Sequence, residues 1–114
     1  MMKMQKTELF MGFEKPGETS FRASDNEVTE EEFNNFIETI VIPLFPDGLT
    51  ILDTDGYWNS PERGLIRERS KVVLILHDGM DESIEKIEKI RATYKSLFNQ
   101  DSVLRVDYIV NVSF

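Results

Sequence analysis

Between Asp53 and Lys71 the chain gathers Asp53, Tyr57, Trp58, Arg63, Arg67, Glu68, Arg69, Ser70 and Lys71, most of its side chains suited to unusual chemistry. Arginine offers planar paired donors to carboxylate or phosphate, lysine a compact charge, and an aromatic ring a stacking face for a base or sugar. Tyr57, Trp58, Arg67, Arg69 and Lys71, joined by Arg105 and Asp107, therefore suggest a site for a small, partly flat anion such as a nucleotide. The same residues have a plainer use. Arg69 or Lys71 can pair with Glu8, Asp53 or Asp107 across neighbouring strands, as solvated ion pairs worth about 0 to 1 kcal/mol each. Trp58 can equally anchor a hairpin or an interface.

The groups available for acid–base work are Asp53, Glu68, His77, Asp107 and Tyr108. None is paired in sequence with a convincing nucleophile, and Ser70 has no activating neighbour. His77 falls at a strand end and reads as an exposed terminal residue, while Tyr108 lies in an apolar phase and reads as core. No catalytic residue is assigned on these grounds. Asp53, Asp55 and Gly56 open like a calcium loop, but Gly64 stands at the twelfth position, where that loop needs glutamate. Asp55-Gly56 is better read as a turn, and no metal or cofactor is expected. The chain contains no cysteine, so thiolate chemistry, disulfides and iron–sulfur clusters are excluded.

These residues need elements to position them. At 114 residues, 40% of them hydrophobic, the chain has material for one core and is expected to be a single domain, 1–114. Its net charge of -8, from 21 acidic and 13 basic side chains, repels nucleic-acid polymers and anionic membranes. A local cation cluster still has a range of about 8 Å at physiological salt. The N-terminal residues 1–6 read as flexible and lack a signal-peptide core, and no apolar run approaches the roughly 20 residues that span a bilayer. A cytoplasmic protein is the expectation.

Thr7–Phe13 reads as a first strand and 14–28, with its Pro, Gly and Ser, as a long loop. Thr29 and Glu32 have the spacing of a capping box. Behind them Phe33, Phe36, Ile37, Ile40 and Leu44 form an apolar stripe that Pro43 and Pro46 bring to an end. Gly48–Asp55 and Arg67–His77 read as two strands of a hairpin joined by a long polar turn. Asp81–Gln100 reads as a second helix with Asp81 as N-cap. Leu104–Phe114 alternates strictly, and its apolar phase, Leu104, Val106, Tyr108, Val110 and Val112, is expected to pack on the helices. The order β-α-β-β-α-β predicts an α+β, ferredoxin-like fold, a four-stranded antiparallel sheet with two helices on one face. Strand Arg67–His77 is apolar in both phases beyond residue 72. The simpler assignment turns Arg69 and Lys71 away from the helices, beside Arg105.

Several separated motifs carry a resemblance. Leu-Phe-x-Gly at Leu9–Gly12, FPDGLT at Phe45–Thr50, the spacing of Asp53, Gly56 and Trp58, RERSKV at Arg67–Val72 and the ending SVLRVDxxVxVSF together resemble a family of small bacterial proteins known only as a domain of unknown function. The resemblance covers nearly the whole chain and implies no activity. Its members often carry an export signal, whereas this chain reads as lacking one, which leaves room for a cytoplasmic or phage-encoded variant.

The first functional expectation is a non-catalytic, oligomeric binding protein for a small anionic, nucleotide-like ligand, acting as sensor or sequestering sponge. One alternative is a small enzyme of the dimeric α+β-barrel type, with Asp53, His77 and Arg105 to test. Another is an acidic interaction or inhibitor module using Glu27 and Glu30–Glu32. An open sheet face bearing Val73, Ile75 and Ile109 leads to an expected homo-oligomer.

Overall fold

The structure, a computed structural model, describes residues 1–14 and 27–114. Most of the loop expected over 14–28 lies outside them. Strand β1 is Met2–Gly12, beginning well before Thr7. Met2 and Met4 take the opposite phase from Leu9, and Met2–Lys6, read in sequence as flexible, pair along the last strand.

Helix α1 opens at Glu30 on the expected capping box, with Thr29 Oγ1 accepting from Glu32 N and Glu32 Oε1 from Thr29 N, both at 3.0 Å. It runs as Glu30–Phe36, a π-helical turn Ile37–Val41 and a last turn Ile42–Leu44. Pro43 has no N–H to give, and its ring crowds the carbonyl four residues back. The wider turn just before it lets the helix reach Leu44.

Strands β2 (Thr50–Ser60) and β3 (Gly64–His77) form a longer hairpin than expected. Tyr57 and Trp58 lie on β2 itself, paired with Arg67 and Ile66. The turn shrinks to Pro61–Arg63, closed by Gly64 at φ 76° and by Ser60 Oγ, which accepts from the N–H groups of Glu62 and Arg63. Helix α2 is Asp81–Phe98. Its N-cap is Met80 rather than Asp81, and Asp78 Oδ1 ties the entry by accepting from Met80 N and Ser83 Oγ. Asn99, at φ 52°, ends it. Strand β4 is Leu104–Val112.

The sheet order is β2-β3-β1-β4, antiparallel throughout, and the two helices cover one face. The chain therefore has the ferredoxin-like β-α-β-β-α-β fold. Leu9, Met11 and Phe13 from β1 meet Val73 and Ile75 from β3, with Phe33, Phe36, Ile87, Ile90 and Tyr94 from the helices, in one buried core. The Tyr94 hydroxyl donates to Gly12 O at 2.7 Å, and burial raises its pKa.

Two strand faces are the reverse of the expectation. Where β1 runs out past Thr7, the phase of Leu9, Met11 and Phe13 is apolar while the other carries Glu8, and the apolar phase points at the helices. The antiparallel register then carries Val73 and Arg105, both opposite Leu9, to that side. Lys71 and His77 share the phase of Val73 and are 8% and 5% exposed. On β4 the apolar phase faces away from the helices, so Tyr108 is not core. It is 44% exposed, with its hydroxyl on Glu8 Oε1 at 3.2 Å. Val73 and Ile75, expected on the open face, are buried beneath the helices.

Candidate functional site

The cations singled out in the sequence are held by carboxylates of the same chain. Lys71 Nζ lies 2.6 Å from Asp53 Oδ1 and 2.9 Å from Glu30 Oε2. Burial opposes its charge, but these two partners outweigh that and raise its pKa. Arg69 bonds Glu30 at 2.6 Å and stands 3.9 Å from Glu27. Arg67 bonds Asp55 at 3.2 Å. All three lie on the helix side of β3.

Arg105 and Asp107 stand elsewhere, on edge strand β4, with β1 between them and β3. Arg105 bonds Asp107 at 2.9 Å and Glu88 at 2.7 Å. Asp107 accepts from Thr7 Oγ1 at 2.6 Å, and Thr7 Oγ1 sits 2.8 Å from His77 Nε2. Gly79 N donates to His77 Nδ1 at 3.0 Å, which makes Nδ1 an acceptor and leaves the ring proton on Nε2. Burial lowers the pKa of His77. This chain of bonds is internal and tethers β1, β3 and β4. It gathers His77, Asp107 and Arg105 around Thr7, whose side chain is fully buried.

A different constellation forms where β1 ends. Phe13 N donates to Arg69 O and Glu14 bridges Glu27, which continues the β1–β3 register so that Glu14 stands across from Glu68. Both side chains take the open-face phase. Like charges directly opposite destabilise a sheet. Here a hydrogen bond between the two carboxyls, followed by burial and the Glu68 charge, raises the pKa of Glu14. Trp58 donates Nε1–H to Glu68 Oε1 at 3.2 Å. Trp58, the chain's one tryptophan, is 45% exposed on the open face, and Tyr57 is exposed on the opposite side of the same strand.

Glu68 lines two neighbouring concavities. One, ≈ 520 Å³, is bounded by Phe13, Glu14, Glu27, Ile66, Arg67 and Arg69. The other, ≈ 340 Å³, is bounded among others by Phe10, Gly56, Ser70, Gln100 and Leu104. Each has the size of a small-molecule site. Among the described residues that line them, Glu14, Glu27, Glu68 and Asp101 outnumber Arg67 and Arg69, so the local balance is acidic. Glu68 was among the acid–base candidates read from sequence. Glu14 was not, since only the register places it opposite Glu68.

A family model described as "Protein of unknown function (DUF3574)" matches residues 6–114. The chain belongs to the DUF3574 family. No curated protein matches its sequence. Two solved structures share the fold of this DUF3574 protein at 15% identity. A phage SAM lyase in complex with S-methyl-5'-thioadenosine has a TM-score of 0.62 over 96% of this chain and 90% of its own. A phage SAM lyase in the apo state has a TM-score of 0.63 over 98% and 92%.

This finding overturns the expectation of a non-catalytic binding protein. That expectation rested on the missing nucleophile, yet the same architecture, matched end to end, is that of a lyase. A lyase breaks its bond without hydrolysis or oxidation, so an activated serine, a thiolate or a metal is not a precondition for catalysis on this fold. Among the described residues no helix is long and apolar enough to cross a membrane.

Proposed function

We propose that this DUF3574 protein is a small enzyme that cleaves a sulfonium nucleoside of the S-adenosylmethionine type, releasing the neutral thioether. The observation that carries this reading is Glu68, held between the Trp58 indole and the Glu14 carboxyl at the mouth of two acidic concavities. An aromatic face suits an adenine and attracts a cation. Surplus carboxylates suit a sulfonium better than a phosphate, because the nearby arginines and Lys71 already have acidic partners.

The bond to break is between sulfur and the methionine side-chain carbon. Its electron pair goes to sulfur, which becomes neutral. The carbon is completed either by loss of a neighbouring proton, taken up by Glu68, or by attack of the substrate's own carboxylate while Glu68 holds the substrate's ammonium group. Neither route asks the protein for a nucleophile. The Glu14 carboxyl, across from Glu68, fixes its orientation through the bond between the two groups. A cytoplasmic setting, where such nucleosides are made and used, suits the reading.

Trp58 makes the binding step directly observable. Titration with S-methyl-5'-thioadenosine should change its fluorescence saturably, and Glu68→Gln should weaken the response to S-adenosylmethionine more than to the uncharged thioether. Unchanged emission with both nucleosides, together with no thermal shift, would remove the proposal.

A further inference from the structure

We infer that the open face of the sheet is where two copies of this chain meet, and that a second copy roofs the concavity at Glu68. The inference stands on the surface alone and does not depend on the proposed reaction. By register the face presents alternate residues of all four strands, among them Phe10, Leu52, Leu74, Leu76, Leu104 and Val106. In a chain with 30% charged residues and net charge -8, the only charges its strands present there among the described residues are Lys6, Glu8 and Glu68, with Glu14 beside Glu68 where β1 ends.

Two of these are already neutralised on the face itself. Lys6 Nζ stands 3.7 Å from Glu8 Oε2 and 4.7 Å from the centre of the Tyr108 ring, whose hydroxyl bonds Glu8. An acidic chain repels its own kind everywhere except on such a face, and that is the complementarity a second copy needs. Beyond Glu8, which is already paired, a basic partner would find carboxylates only at the Glu14–Glu68 end of the face.

The area is also adequate. Four strands about 4.8 Å apart and an eleven-residue strand β1 rising about 3.4 Å per residue give a face on the order of 700 Å². A standard interface buries about 800 Å² per partner, and soluble monomers rarely leave a contiguous apolar patch of this size uncovered. The hairpin adds to it. β2 and β3 run on past the end of β1 at Gly12 as a two-stranded arm, with Trp58 exposed on the open side. Two strands alone are marginal in water, so the arm also gains from a partner. Face-to-face packing sets the partner's sheet over Phe10, Gly56, Ser70 and Leu104, the walls of the concavity that Glu68 lines.

Sedimentation velocity without any nucleoside tests this. The wild type should run as a dimer or larger closed assembly at about 10 μM. The double variant Leu76→Glu/Leu104→Glu, at two exposed open-face positions, should run as a monomer with unchanged circular dichroism. Ile109→Glu, exposed on the other phase of β4, should assemble like the wild type. If the double variant fails to fold, Leu104→Glu alone on the edge strand should still raise the dissociation constant at least about tenfold. A monomeric wild type, an assembly indifferent to these glutamates, or a monomer that sediments with phosphatidylcholine vesicles overturns the inference. An assembled wild type that turns over no sulfonium nucleoside would leave it standing and count only against the proposed reaction.

Discussion

Glu14 and Glu68 face each other where an ordinary sheet would avoid like charges, so relieving the pair should help the fold. Glu14→Gln is expected to stabilise the protein at pH 7 by roughly 0.2 to 1 kcal/mol, the range for cross-strand charge pairs, read from urea denaturation. Because folding raises the pKa of Glu14, its contribution is present at acid pH and is lost as pH rises through the folded value. The variant's advantage should therefore shrink as the solution is acidified. An unchanged or lower midpoint at pH 7 would mean that the shared proton outweighs the repulsion.

His77 has the opposite sign. Its pKa is lowered in the fold, so its contribution is present above the unfolded value near 6.5 and is lost as pH falls through the folded one. Protonating Nδ1 would also set a proton against the Gly79 N–H. Wild-type melting temperature should be flat between pH 8 and 7 and fall towards pH 5, with a shallower fall in His77→Asn. Equal slopes in the two proteins would place the acid sensitivity elsewhere.

At the scale of elements, the pattern of apolar residues marked both helices, the capping box and all four strands, because each has a local cause. Faces and register were not local. On β3 both phases are apolar beyond residue 72, and on β4 the fully apolar phase turns to the open side. What decides both is the end of β1, where Leu9 and Met11, followed by Phe13, face the core and fix the neighbouring strands through pairing. The same gap hid Glu14, whose place depends on which residue of β3 stands opposite. The basic run at Arg67–Lys71 drew attention as a ligand site, while its carboxylate partners come from β2 and the α1 region.

Two variants weigh these elements. Thr29→Ala removes a capping-box acceptor at the start of α1 and should cost about 1 kcal/mol in urea denaturation; no loss would mean that packing of Phe33 and Phe36 alone sets this end. Lys71→Met, with both carboxylate partners free to take up water, should change stability by no more than about 1 kcal/mol and leave nucleoside binding unaltered. Loss of binding in a folded Lys71→Met protein would return the site to the helix side of β3.

For the whole molecule, the fold positions a carboxylate and an indole at one end of an apolar sheet face, on an arm that β1 and β4 do not support. The sequence pointed to the fold and the family but not to this placement, since no single segment contains Glu14, Trp58, Glu68, Phe10 and Leu104 together. The central claim is that these residues serve turnover of a sulfonium nucleoside. It is tested most directly by incubating purified protein with S-adenosylmethionine and measuring S-methyl-5'-thioadenosine by mass spectrometry against Glu68→Gln. Release is expected well above the protein-free rate, reduced about 10²- to 10⁴-fold in the folded variant. Release at the protein-free rate, or equal release by wild type and Glu68→Gln, would contradict it.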